Sequence, residues 1–102
     1  MHDTVLLIPV AESIERGNIR REPLRNKARE LYAKVTSVGE REFYDAAQAG
    51  YDLSLRAEVW TDEYRNERML EFEGEEYSVI RSYRNDKTRR TELYCERTKG
   101  RG

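Results

Sequence analysis

One cysteine, one histidine, two prolines and the absence of any long apolar run set the first limits on this chain. The lone Cys95 excludes an intrachain disulfide. His2, the only histidine, stands beside Met1, so one chain holds no buried imidazole base, histidine metal cluster or nucleophile–histidine pair. The apolar part of "MHDTVLLIPVAESIER" is too short, and lacks the basic flank, for a signal peptide or a membrane span. A soluble protein made in a reducing compartment is expected. The chain also lacks a Gly-rich phosphate loop, a Walker pattern, EF-hand spacing, internal repeats and low-complexity tracts. No enzyme and no cofactor are expected.

What the chain has is charge. Of its residues 38% are charged, with 19 Lys and Arg against 20 Asp and Glu, which excludes the bulk cationic character of a dedicated nucleic-acid binder. At 102 residues and 37% hydrophobic it makes one domain, 1–102, with a modest core. The charge is uneven along the chain. Residues 61–76 are acidic, with seven carboxylates against Arg65 and Arg68, and the chain from Arg81 onward is basic. Charges on outer strand faces discourage edge-to-edge aggregation. An acidic side meeting the basic side of a neighbour is also what a heterologous ring contact requires.

Periodicity predicts a mainly β fold, a small antiparallel β-barrel or sandwich of six to seven strands with one short helix. "TVLLIPV" at 4–10 reads as a strand that sits at an edge or bends at Pro9. "RGN" at 16–18 is a turn, and "IRREPL" is a possible return arm within an otherwise flexible loop at about 11–28. From Glu30, "ELYAKVTSV" alternates as a half-buried strand. "EREFYDAAQA" predicts two to three helical turns, with Phe43, Ala46 and Ala47 on neighbouring turns and Gly50 as the left-handed cap. "YDLSLRAEVW" places Tyr51, Leu53, Leu55, Ala57 and Val59 on one side. A hairpin turns near Gly74, Asn85-Asp86 turns the chain into "TRRTELYCER", and the tail at about 98–102 frays.

Candidate chemistry is sparse. Cys95, between Tyr94 and Glu96 on the last strand, reads as a small buried hydrophobe rather than a nucleophile. The carboxylates at 71–76 read as a solvated edge rather than an acid/base pair. Seven tyrosines suit half-buried strand positions and interface rims. Interleaved with arginines, as in "YSVIRSYRNDKTRR", they also allow an alternative, a small β-barrel binding module for single-stranded nucleic acid.

Three local signatures stand in order: "S-V-x-x-x-E-F-Y-x-A" from Ser37, "F-x-G-x-x-Y-S-V-I-R-x-Y" from Phe72, and "E-L-Y-C-E-R" from Glu92. In that order and spacing the chain resembles the head closure family of tailed phages and prophages of Gram-positive bacteria, also called head-tail adaptor, joining or stopper proteins. The resemblance implies a structural virion protein without activity or cofactor, located in the head-tail connector and in the host cytoplasm during assembly. It implies a ring of about twelve copies beneath the portal, with monomers in isolation. Its partners would be the portal-side adaptor ring, the tail-side proteins and packaged double-stranded DNA passing the channel without sequence specificity; no membrane is involved. The segment at 39–50 would face the channel, with Glu40, Arg41, Glu42, Phe43, Tyr44, Asp45 and Gln48 as gating residues. Ring contacts would pair Asp62, Glu63, Glu73 and Glu75 with Arg84, Arg89 and Arg90 of the neighbour. The arm after the first turn, "IRREPLRNKARE", is shorter than in many relatives and lacks their tryptophan.

Overall fold

Proline decides the first corner. The computed structural model, which describes residues 2–98, starts the apolar run as β1 (Asp3–Ile8). Pro9 has no N–H to give a ladder, so the run breaks there and Val10 opens a separate strand, β2 (Val10–Glu15), which returns as β3 (Asn18–Pro23). Arg16 and Gly17 between them both take positive φ (54° and 80°), the mark of a two-residue type I′ turn whose twist matches that of the strands. Residues 11–28 therefore hold a hairpin and one 3-10 turn (Arg25–Lys27) rather than an irregular loop.

The remaining elements are β4 (Arg29–Thr36), α1 (Glu40–Gln48), β5 (Leu53–Trp60), β6 (Met69–Phe72), β7 (Glu75–Asn85) and β8 (Arg90–Arg97). In the order β1-β4-β5-β8-β7-β6 they close an antiparallel barrel, with β2 and β3 as a separate two-stranded sheet. The fold is mainly β with one helix, as the periodicity predicts. The strand total is eight because Pro9 splits the first run and "IRREPL" is a true strand. A second type I′ turn, Glu73 (φ 51°) and Gly74 (φ 82°), joins β6 to β7. Asn85 shapes the turn before β8, its Oδ1 accepting the Lys87 and Thr88 N–H groups at 3.0 and 3.3 Å. The frayed tail expected at 98–102 lies outside the described residues, except for Thr98, whose N–H donates to the Glu76 carbonyl at 3.0 Å.

Two-residue alternation fills the barrel. Val5 and Leu7, Leu31 and Ala33, Leu55, Ala57 and Val59, Leu70, Val79, Leu93 and Cys95 form one continuous buried cluster. The alternation breaks in two places. Between Leu53 and Leu55 on β5, and between Val79 and Arg81 on β7, the register against β8 slips by one residue. Each slip is a β-bulge, and each moves an apolar residue off the inner face. Leu53, expected on the same side as Leu55, instead joins Ala46, Tyr94, Val38 and Ile80 in a second, smaller cluster under the helix.

One end of the barrel is held by a buried ion pair. Arg29, at the start of β4, donates through Nε and Nη2 to Glu67 Oε2 at 2.8 and 2.6 Å, and through Nη2 to the Glu63 carbonyl at 2.7 Å. Glu67 is only 4% exposed, and its second oxygen accepts the Arg65 N–H at 2.9 Å. The Tyr64 hydroxyl, pushed up to about 12 chiefly by burial, donates to the Glu67 carbonyl at 2.9 Å. These contacts fix the connection from β5 to β6.

Urea unfolding monitored by the fluorescence of Trp60 ranks these parts. Leu93→Ala is expected to cost about 2–5 kcal/mol, as a fully buried leucine does. Glu67→Gln is expected to cost about 1–3 kcal/mol, because Arg29 keeps some access to water. Ile14→Ala, on the exposed hairpin, is expected to stay within about 0.5 kcal/mol. A loss at Ile14 equal to that at Leu93 would make the hairpin part of the core.

Candidate functional site

The helix expected to act at the channel, α1, lies on the outer wall of the barrel. Gly39 precedes it with extended backbone, and its carbonyl accepts the Phe43 N–H at 2.9 Å. Glu40 and Glu42 occupy the first turn, where carboxylates favour the helix dipole. The helix ends as its Gly suggests: Gly50 takes φ 92°, its N–H reaches the Ala47 carbonyl at 3.0 Å, and the Tyr51 N–H reaches the Ala46 carbonyl at 2.9 Å.

Only Ala46 of this helix is buried. It enters the seat that the two bulges make, between Leu53, Ile80 and Tyr94. An ion pair without hydrogen-bond geometry adds to it, Arg81 Nη2 standing 3.1 Å from Glu42 Oε1, with the Arg81 guanidinium 5.9 Å from the centre of the Tyr94 ring. Glu40, Arg41, Tyr44, Asp45 and Gln48 are exposed, and Ala47 is exposed rather than packed. Phe43 is also exposed, edge-on to Tyr44 with ring centres 5.6 Å apart. The seat joins the three sequence signatures in space: the first supplies Val38, Glu42 and Ala46, the second Ile80 and Arg81, the third Tyr94.

Beside the seat, the outer face of β5 and β8 carries a half-buried charged network. Arg56 bridges Glu58 at 2.6 Å and Glu92 at 2.9 Å, and Tyr94 donates its hydroxyl to Glu92 at 2.8 Å. Burial first, and the Glu92 carboxylate after it, push the Tyr94 hydroxyl up. Arg90 reaches Glu58 at 3.5 Å and lies over the Trp60 ring, 4.9 Å from its centre.

The residues expected at a ring contact divide between two ends of the molecule. Asp62 and Glu63 lie in a 3-10 turn (Thr61–Glu63) next to the β7–β8 turn, the Thr61 N–H donating to the Arg89 carbonyl at 2.9 Å. Arg84, Arg89 and Arg90 stand at that same end, with Arg84 bonded to Asp86 at 2.9 Å. Glu73 and Glu75 lie at the opposite end of β7, where Glu75 bridges Arg97 at 2.7 Å. Three of the seven, Glu75, Arg84 and Arg90, thus meet charges of their own chain. Asp62, Glu63, Glu73 and Arg89 make no ion pair among the described residues and point to solvent.

The third feature is the hairpin, of which the sequence shows the turn at "RGN" and the return arm "IRREPL" but not the first arm, β2. Its base is tied to β7 by Arg25, which grips both Glu76 oxygens at 2.8 Å, and is closed on itself by the Leu24 N–H donating to the Pro9 carbonyl at 2.8 Å. Its far end exposes Ile14 (79%) and Ile19 (62%) as a directly opposed pair. Among the described residues no cluster of three metal-ligating side chains occurs. No protein-family model matches the chain, and a search of curated proteins returns no match.

Two expectations follow. Burial alone pushes the Cys95 thiol up to about 12, so it should react with a thiol reagent at neutral pH only after unfolding. Prompt labelling of the folded protein would make Cys95 a reactive group. The Arg25 bond holds the Glu76 carboxyl below its ordinary range, so the unfolded chain takes up that proton first on acidification. The tie is therefore complete at neutral pH and lost as the pH falls below the ordinary glutamate value of roughly 4.3. Hydrogen-exchange protection of the Leu24 amide should drop over that window in the parent chain and be low at every pH in Glu76→Gln.

Proposed function

We propose that this chain is a structural protein of a phage head-tail connector, closing the filled head as part of a ring below the portal and offering a surface to the tail. The observation that supports this most is the helix seat. The three segments that carry the resemblance to head closure proteins lie far apart in sequence, yet they meet at one place and there hold a short helix against a barrel wall. The similarity therefore falls on how one small outer element is mounted, which matters to a gate. One buried alanine and one ion pair are a light anchorage, and a helix so held is drawn from the low-stability end of a fold.

Chemistry elsewhere is consistent with a binding and assembly role. The barrel interior is occupied by side chains, the lone cysteine is buried and neutral, and the exposed aromatic and apolar groups sit on the outer wall and on projecting elements. A surface for single-stranded nucleic acid is less favoured. Glu58 and Glu92 stand between Trp60 and Tyr94 on the outer face, where a phosphate backbone would have to run.

Ring contacts remain with the free charges. Asp62, Glu63 and Glu73 are available to a neighbour, and so is Arg89, whereas Arg90 is engaged with Trp60 and Glu58. Arg89→Glu is thus the clean charge reversal.

The test uses DNA-filled, tailless heads of the encoding phage. Purified protein should cosediment with them, appear in negative stain as an added layer at the portal vertex, and slow DNA release. Ala46→Asp, which puts a carboxylate into the seat, should still bind while retaining DNA at least several-fold less well. Tail attachment under conditions where this protein does not bind heads would sink the reading. Salt-sensitive retardation of labelled oligonucleotides without head binding would favour the nucleic-acid module instead.

A further inference from the structure

β7 outruns the strand beside it. β6 pairs with Glu75–Ser78, one further bond runs from the Val79 N–H to the Arg68 carbonyl at 2.9 Å, and beyond it, from Ile80 to Asn85, no described strand stands on that side. The other side is fully laddered. Arg81 to Asn85 pair with Tyr94 to Arg90 of β8, and β8 pairs with β5 as far as Arg90 and Trp60. Every second residue of a strand turns its N–H and C=O to the same side, so about half the backbone groups of Ile80–Arg84 have no partner among the described residues. The side chains agree with an open edge. Arg81, Ser82, Tyr83 and Arg84 are exposed in succession, although Ser82 and Arg84 share a face with Leu93 and Thr91, which are buried. Helix α1 meets this strand at Ile80 and Arg81, on the outer face, and leaves the edge clear.

We infer that this edge takes an extended acidic segment of a different protein as an added strand. The edge itself specifies extended backbone, because a row of N–H and C=O groups at strand spacing is matched by another strand. Ile80–Asn85 spans roughly 20 Å, the length of an ordinary strand. The arginines specify the side chains. Arg81 and Arg84 stand three residues apart on opposite faces, and their own pairs, to Glu42 at 3.1 Å and to Asp86 at 2.9 Å, lie at the surface, where such pairs are weak and exchangeable. An incoming strand lays one side chain directly opposite each. Carboxylates three positions apart therefore gain two cross-strand pairs, while cations there are repelled. Asp62 and Glu63 stand at the turn end, so the preference comes from these opposed residues and not from net charge. A second copy of the same edge is disfavoured. With faces matched, the two fullest antiparallel registers centre on Ser82 or on Tyr83; the first sets Arg81 diagonal to its own equivalent, the second Arg84. The hairpin edges are open too, but no third strand backs them, β2 carries Glu12 and Glu15, and Pro23 of β3 has no N–H.

Amide NMR of the full chain tests it with a capped peptide of about eight residues, threonine and valine with two glutamates three positions apart. The amides of Ile80–Asn85 should shift on titration and exchange more slowly, while those of β2 and β3 stay unchanged. Two matched peptides separate the causes. One, N-methylated at every amide, keeps the charge but loses the ladder and should not bind; the other, with lysine for glutamate, should bind about threefold or more weakly than the parent peptide. Arg84→Glu, at an exposed position, should narrow or reverse that preference. Equal binding by the N-methylated peptide would make the edge a patch for anions of any kind, and shifts centred on β2 or β3 would place the added strand elsewhere; either result overturns the inference. So would the lack of any shift at about millimolar peptide. Protection of Ile80–Asn85 that grows with protein concentration alone would make a second copy the occupant and overturn it too. None of these readouts involves phage heads, so this inference and the closure reading stand or fall separately.

Discussion

The barrel closes on a short seam, and the buried pair of Arg29 with Glu67 stands at its end. β1 pairs with β6 through three residues only, Leu6, Leu7 and Ile8 against Glu71, Leu70 and Met69. Without that seam β6 and β1 would each present an open edge. Arg29 lies opposite Leu7 on β4, and Glu67 stands two residues before β6 begins, so their bond holds the incoming connection against the strand that must be met. A charge as deeply buried as Glu67 is tolerated because each oxygen has a donor. Removing either partner exposes the cost of burying the other.

Closure leaves the chain a smooth wall, and the two bulges are what break it. The β5 bulge falls opposite Cys95 and Glu96 of β8 and the β7 bulge opposite Tyr94 and Cys95, one on each neighbouring strand. Their joint effect is that Leu53 and Ile80 flank Tyr94 on the outside while Leu55, Val79 and Cys95 stay within. A small barrel thereby gains a second apolar patch without adding a layer. The helix needs only an alanine to dock there because the barrel supplies the bulk.

Local signals in the sequence show the barrel strands, the positions of the turns at Gly17 and Gly74 and the helix with its glycine stop, while β2, a polar strand without apolar alternation, reads as loop. They show the bulges poorly. "YDLSL" and "SVIR" read as continuous alternation or as an ambiguous apolar pair, and which residue turns outward is decided by the register against β8. Charge is least legible of all. The acidic run at 61–76 looks like one surface, but Glu67 is buried at a barrel end, Glu76 holds the hairpin base, Glu75 meets Arg97, and only part of the run remains for another molecule.

That internal use of charge bears on how such a chain can assemble. Ion pairs within one chain at Arg20–Glu15, Arg21–Glu12, Arg25–Glu76 and Arg97–Glu75 satisfy locally what would otherwise be long-range attraction between copies. The pairs near the surface are individually weak and screened by salt, so they neither drive association nor prevent it. Charge alone therefore gives copies of this chain little drive to associate, although more than one-third of its residues are charged. Any specific contact would then fall to shape and apolar complementarity, and the isoleucines at the hairpin tip are the apolar side chains most open to it. A contact of that small apolar area would become measurable only where many copies are held close together.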